Sequence, residues 1–358
     1  MKTIMKTLFV SIASLSLMFS VNAGELGVSG SAKATYHITH GDQSDNTIGV
    51  TNEVSLTASG EMDNGYAWSY SMALDPTTTA TSGATTNTPA GAAINDDTSI
   101  TITMNDLGTA KICVSTCGNS KEYAFDQSAY TSMTDTGYSE GIEYPISASS
   151  YASLQYHTPE LPFGTTASYA YGQTKVGDGQ SGNAQANSNG NNISAYSVVT
   201  KPIDGLTLSG SYYQIEDYDD GDTSELQTED GGAYGIEYAM GNFTVGYGKS
   251  YKSPESTTSI ATGTVVEYYE NTGVSIGFAV NDELSISYTT EESSAKQRTG
   301  TNTIYDIEMD SVQAAYSLGG ATLSLARADY DNISYTNGPD ASETIIAINF
   351  AFLSLIHI

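Results

Sequence analysis

The chain has 358 residues, of which 41 are acidic and 12 are basic, and its formal net charge at pH 7 is −29. No nucleic-acid partner is expected for so acidic a chain, because a phosphate backbone selects basic surfaces. Hydrophobic residues make up 39% of the chain. After residue 24 no apolar stretch approaches the roughly 20 residues that a membrane-spanning helix needs, which excludes a helical membrane protein.

The first 23 residues have the pattern of a secretory signal peptide. Lys2 and Lys6 precede an apolar run at residues 8–21, and Val-Asn-Ala closes with a small residue at Ala23. This run is shorter than a membrane-spanning helix. We expect cleavage after Ala23, which leaves ten basic residues against 41 acidic ones and a formal net charge of −31.

From residue 24 onward, apolar and small polar residues alternate with a period of two. The pattern is clearest where Tyr66, Trp68 and Tyr70 are interleaved with Ala67 and Ser69. Helical spacing would not separate these two sets, so the alternation predicts β-strands. Lysine, which soluble sheets use to protect their edges, is scarce. The pattern favours a transmembrane β-barrel over a secreted β-sandwich, with the apolar face toward lipid.

About sixteen such segments follow one another, each near the ~10 residues that a tilted strand needs to cross a membrane. Turns rich in Gly, Asn and Asp join them in pairs at residues 63–65, 105–108, 159–164, 202–205, 241–242, 281–282 and 319–320. Long polar segments alternate with these turns at residues 40–47, 77–96, 117–141, 175–190, 218–230, 253–263, 292–303 and 331–342. This alternation predicts an all-β fold, an antiparallel barrel wide enough for an aqueous channel.

One segment departs from simple alternation. Ile307 and Met309 are in one phase, whereas Val312, Ala314 and Tyr316 are in the other. A bulge near Asp310 would bring both sets to the same face, and we predict one there.

Three stretches of the chain resemble the Gram-negative general-diffusion porins. They are residues 100–114 (ITITMNDLGTAKICV), residues 154–172 (LQYHTPELPFGTTASYAYG) and residues 344–352 (TIIAINFAF). The resemblance implies a barrel of sixteen strands, usually trimeric, that crosses the outer membrane many times and contacts lipid and lipopolysaccharide. It implies passive diffusion of small hydrophilic solutes and ions, with no cofactor and no enzymatic activity.

The terminal strand is similar to the strand by which porin barrels are recognised for assembly. Its outer face carries Ile346, Ile348, Phe350 and Phe352. We therefore expect the barrel to occupy residues 24–352. Residues 353–358 (LSLIHI) form an atypical tail, and a natural end at Phe352 is expected.

The resemblance also implies that the third long segment, residues 116–139, folds into the barrel and narrows it. Its candidate constriction residues are Glu122, Asp126, Asp135 and Glu140, against a single Lys121. An ordinary solvated loop is the alternative. From the phase of each strand, the candidate charges facing the channel are Lys33, His37, Glu53, Asp75, Lys111 and Glu237. The porins' arginine cluster has no counterpart here, and the acidic balance predicts a weakly cation-selective channel.

Two cysteines, Cys113 and Cys117, lie where the fifth strand enters the third long segment. Four residues of straight strand span about 13 Å, whereas the Cα atoms of a disulfide lie within about 7 Å. A disulfide therefore requires the chain to turn between them. We predict this bridge, in a compartment that permits it, at the root of the third long segment.

Other chemistry has weak support. Asp219, Asp220 and Asp222 are candidates for loose divalent binding, but their spacing does not fit a calcium-binding loop and plain solvation is the alternative. The four histidines, at residues 37, 40, 157 and 357, form no catalytic motif. A substrate-specific channel and a barrel adhesin or enzyme remain open as alternatives to a diffusion channel.

Overall fold

The computed structural model describes residues 25–41, 46–74, 98–114, 141–145, 152–173, 192–216, 229–254 and 265–356. These residues form sixteen strands in one closed antiparallel barrel, in which each strand pairs with its neighbours in the chain and the first strand pairs with the last. The predicted fold and strand number are confirmed. Among the described residues, no helix is long and apolar enough to cross a membrane.

The sixteen strands are Glu25–Gly41 (β1), Thr47–Glu61 (β2), Ala67–Leu74 (β3), Thr98–Thr103 (β4), Thr109–Val114 (β5), Ala152–His157 (β6), Thr166–Gln173 (β7), Asn192–Ile203 (β8), Leu206–Glu216 (β9), Asp230–Met240 (β10), Phe243–Ser253 (β11), Val265–Ala279 (β12), Leu284–Thr299 (β13), Ile307–Ser317 (β14), Ala321–Asp331 (β15) and Ala341–Ile356 (β16). Within the described residues, short helical turns lie in the connections at Asn105–Leu107, Pro162–Gly164 and Ile333–Tyr335.

Short turns join the strands at one end of the barrel, at the places that Gly, Asn and Asp predict. Gly65 has a φ of 78° and donates its N–H to the carbonyl of Met62 at 2.8 Å. The side chain of Asn281 accepts from the N–H of Leu284 at 2.7 Å. Glycine takes the left-handed conformation without strain, and Asn bonds to the backbone just ahead of it.

The strand ends that the long connections join lie at the other end of the barrel. The predicted segment 292–303 is wrong at its start, because β13 continues to Thr299 and pairs with β12 as far as Val265. Its polar residues, including Ser293 and Gln297, keep the alternation of a strand. A strand rich in Ser, Glu and Gln is easily taken for a loop when composition is considered before period.

Opposite faces of the barrel wall have opposite character. The outer face of β10 exposes Tyr234, Ile236 and Tyr238. Ala233 and Gly235, at alternate positions of the same strand, are buried on the inner face. So continuous an apolar surface would be a liability in water. It is the surface that a transmembrane barrel presents to lipid.

The predicted bulge near Asp310 is wrong. β14 pairs with β13 and with β15 in an unbroken register from Glu308 to Tyr316. Ile307 and Met309 therefore point inward, and both are buried in an apolar cluster inside the barrel. The phase changes because β14 begins with apolar residues on its inner face. Chain segments inside the barrel cover these residues.

β16 closes the barrel and continues past Phe352. Its backbone pairs residues 353–356 with residues 26–29 of β1. Phe350 and Phe352 are exposed on the outer face, as are Ile346 and, in part, Ile348. A Cβ at Gly30 would lie 2.3 Å from the ring of Phe352, so Gly30 gives this ring its place. An assembly role for this face and a natural end at Phe352 stay predictions.

Candidate functional site

Residues 141–145, which we call the inner arm, lie inside the barrel. In sequence they belong to the connection between β5 and β6, yet Ile142 packs in a buried cluster with Ile307 of β14 and Val266 of β12. β13, at the centre of that wall, is eight strands from β5 in a ring of sixteen. Residues 141–145 of the third long connection therefore lie inside the barrel, against the wall opposite β5.

Glu143 ties the inner arm to three separate elements. Its carboxylate forms an ion pair with Lys252 of β11 at 2.9 Å. Its carbonyl accepts from the amide of Asn271 on β12 at 3.1 Å, and its N–H donates to the hydroxyl of Tyr335 at 3.2 Å. Side chain, carbonyl and N–H each have a different partner, so this residue fixes both the position and the orientation of the arm.

The next two residues bury the arm further. Tyr144 hydrogen-bonds to Glu291 of β13, and burial together with this carboxylate raises the pKa of Tyr144 well above its ordinary value. The phenol therefore stays protonated and donates to the carboxylate. The side chain of Pro145 is fully buried.

Residues 332–340, which we call the eighth connection, also turn inward. Ile333 and Tyr335 are buried in the same cluster as Ile142. The hydroxyl of Tyr335 lies 2.7 Å from that of Ser293, and its ring lies 5.3 Å from the ring of Tyr269. Burial raises the pKa of Tyr335 to about 12. The inner arm is therefore enclosed between the eighth connection and the wall.

The backbone of the eighth connection is unusual. Asn332, Ser334 and Tyr335 have φ values of 58°, 55° and 57°. Residues other than glycine rarely adopt this left-handed conformation, and each instance costs on the order of 1 kcal/mol or more. Such a conformation persists only where surrounding contacts compensate for it, and the contacts of Tyr335 with the arm and wall are of that kind.

Charged residues expected at the channel wall are placed as follows. Five of them lie on the inner face of the barrel, each on its own strand: Lys33, His37, Glu53, Lys111 and Glu237. His37 lies 2.6 Å from Glu343 of β16, whose second oxygen accepts from the hydroxyl of Tyr330 at 3.2 Å. Asp75 lies outside the described residues.

The predicted loop sites cannot be placed in the same way. The following residues lie outside the described part of the chain: Lys121, Glu122, Asp126, Asp135, Glu140, Cys117, Asp219, Asp220 and Asp222. Cys113 is buried on the inner face of β5, and its pairing with Cys117 stays a prediction. Within the part of the chain that the structure describes, no group of His, Cys, Asp and Glu could hold a metal ion.

Sequence reasoning missed four charged residues of the interior: Glu143, Lys252, Glu291 and Glu343. The phase of β11 does reveal Lys252, because it is opposite to that of Tyr247 and Tyr251. The phase of β13 likewise indicates Glu291, because it is opposite to that of Ile286 and Tyr288. Glu143 carries no periodic signal, because it belongs to a connection.

The fold and the site together define a sixteen-stranded transmembrane β-barrel with a chain segment packed inside it. Comparison with solved structures agrees. A trimer form of OmpT, an outer membrane protein of Vibrio cholerae, has a TM-score of 0.64 at 12% identity and covers 92% of this chain and 100% of its own. OmpF of Salmonella typhi, in complex with daunomycin, has a TM-score of 0.64 at 13% identity and covers 92% and 98%.

An anion-selective porin from Comamonas acidovorans has a TM-score of 0.61 at 11% identity and covers 92% of this chain and 100% of its own. No protein-family model and no curated protein matches the chain. At such low identities the likeness concerns the fold. The chain therefore has the fold of the porins.

Proposed function

We propose that the protein is a porin of the outer membrane of a Gram-negative bacterium. It forms a water-filled channel for passive diffusion of small hydrophilic solutes and ions, and it is not an enzyme. The observation that carries this proposal is the inner arm, which packs inside a closed barrel that is apolar outside and carries polar side chains inside. A barrel of sixteen strands is wide enough to hold water, and an internal segment narrows it.

We further propose a weak preference for cations. The inner face carries carboxylates at Glu53 and Glu237, with Glu143 on the inner arm, against lysines at Lys33, Lys111 and Lys252. Glu291 and Glu343 also belong to this face but are buried. Lys252 and Glu143 form an ion pair, so their charges partly neutralise each other. Acidic residues that line a pore favour cations. The acidic third long segment supports the same preference.

Conductance measurements test both proposals. Purified protein, refolded in detergent and inserted into planar bilayers, is expected to give conductance steps that rise with salt without saturating. Under a potassium chloride gradient, the reversal potential is expected to have the sign of a cation preference. The opposite sign would overturn the selectivity, and a folded barrel without steps would overturn the channel. A conductance that saturates as the concentration of one solute rises would indicate a substrate-specific channel.

We also propose a homotrimer in contact with lipid and lipopolysaccharide. The support is the likeness to OmpT of Vibrio cholerae in its trimer form. The mass of the protein in detergent, corrected for bound detergent by light scattering, is expected to be that of three chains. A single-chain mass under conditions that preserve the folded barrel would contradict the trimer.

A further inference from the structure

We propose that the eighth connection, through Tyr335, holds the inner arm in place and thereby steadies the width of the channel. This inference rests on the proposed channel function for its effect on conduction, whereas the anchoring itself is a property of the fold. Tyr335 acts through the arm, so it is a positioning residue.

The contact between the two segments is direct and specific. Besides accepting the N–H of Glu143, Tyr335 accepts through its own carbonyl the N–H of Tyr305, at 3.2 Å. Its ring and hydroxyl are bound to the wall by Tyr269 and Ser293. Tyr335 therefore joins the arm, the wall and the chain leading into β14. Removing the Tyr335 side chain would remove the hydrogen bond that joins the inner arm to the eighth connection.

A second contact lies beside the first. Gly141, at the start of the arm, has a φ of 87°, and a Cβ there would lie 2.9 Å from the Cα of Ser334. The backbones of the arm and the eighth connection therefore meet with no room for a methyl group. Because the obstructing atom is backbone, the eighth connection would have to shift to accept a side chain at residue 141.

The eighth connection also has an exposed side. Asn337, Gly338 and Asp340 are exposed, whereas Ile333 and Tyr335 on its inner side are buried against the arm. One short segment therefore has solvent-exposed residues on one side and contacts the inner arm on the other. A displacement of the eighth connection would be transmitted to the arm, because packed contacts move together.

Tyr335→Phe tests the hydroxyl while keeping the ring. In the folded barrel, amide hydrogen exchange of peptides spanning residues 141–145 is expected to become about five- to tenfold faster, since one hydrogen bond of ordinary strength is lost. Tyr288→Phe is the matched control. It removes a hydroxyl bound to Asp310 on the outer face of the same wall, and exchange in the arm should not change.

Gly141→Ala tests the same contact from the other side. It should accelerate exchange in the arm and in residues 332–340 together. Gly319→Ala is its control, because Gly319 also has a positive φ, 72°, yet has open space around the position of a Cβ. An acceleration of the arm by both glycine variants alike would show a general effect of strain and overturn the contact.

Single-channel recordings test the effect on conduction. Tyr335→Phe is expected to show more frequent sublevels at an unchanged main conductance, and Tyr335→Ala a larger main conductance, whereas Tyr288→Phe behaves as wild type. Unchanged exchange in folded Tyr335→Phe would overturn the anchoring. If the wild type conducts no ions but exchange responds as expected, the anchoring stands and the proposed function fails. Unchanged recordings with accelerated exchange would overturn the link to channel width.

Discussion

Replacing Lys252 by glutamine would remove one positive charge from the interior of the barrel. Lys252 is 15% exposed and forms its ion pair with Glu143 from the inner face of β11. Lys249, three residues earlier on the same strand, lies on the outer face and pairs with Glu270 at 2.7 Å. The two lysines therefore form a matched pair, one facing the proposed channel and one facing away from it.

The expected effect is a stronger preference for cations. Two unit charges 4 Å apart in water interact by about 1 kcal/mol, which corresponds to roughly a fivefold change in local ion concentration. Salt screening, with a reach of ~8 Å at physiological ionic strength, reduces the effect on ions that pass further away. We expect the ratio of cation to anion permeability to rise about two- to fivefold in Lys252→Gln.

The reversal potential across planar bilayers under a salt gradient measures this ratio. Lys249→Gln should leave it unchanged, and the effect of Lys252→Gln should shrink as the salt concentration increases on both sides. Equal shifts in the two variants would refute the reasoning, because the outer lysine is not in the path of the ions. A lower cation preference in Lys252→Gln would also refute the reasoning.

Three further results are expected. Without reductant, Cys113 and Cys117 should resist alkylation in the denatured protein, and modification of both would exclude the disulfide. Met309→Ala should destabilise the barrel by roughly 2 to 5 kcal/mol in urea unfolding, because it opens a cavity beside the inner arm; no loss would show that this face is not packed. The pKa of Tyr335 is raised from 10.0 to about 12, so its contribution to stability is complete below about pH 10 and is lost as the pH rises toward 12. In an ultraviolet titration, Tyr335→Phe should lack an ionisation near pH 12, and loss of one near pH 10 would contradict the burial.

The barrel could be predicted from the sequence because its signals are local. The alternation of Tyr234 and Ile236 with Ala233 and Gly235 needs no knowledge of distant residues, and Gly65 marks its turn by its own conformational freedom. The closure of β1 on β16 follows from these signals, since an even number of antiparallel strands with apolar outer faces leaves no other place for its edges.

The interior could not be predicted in the same way. Alternation distinguishes the two faces of a strand, but it does not tell which inner residues are covered by another segment. The alternation therefore places Ile307 and Met309 on the lipid side by way of a bulge, although they face the inner arm. The partners of Glu143 show the same difficulty, because Lys252 is 109 residues away and Tyr335 is 192 residues away.

The two sides of the barrel differ on their inner faces. The inner faces of β12, β14, β15 and β16 carry apolar residues that would be exposed to water without a cover, and the inner arm and eighth connection supply this cover. Because these segments pack on this side, the proposed channel is left the space next to the remaining wall, where Lys33, Glu53 and Lys111 lie. Lys252 lies at the border between the two regions, because it reaches the inner arm from β11. Its replacement therefore tests whether ions pass close to the packed segments, whereas Met309→Ala tests the packing alone.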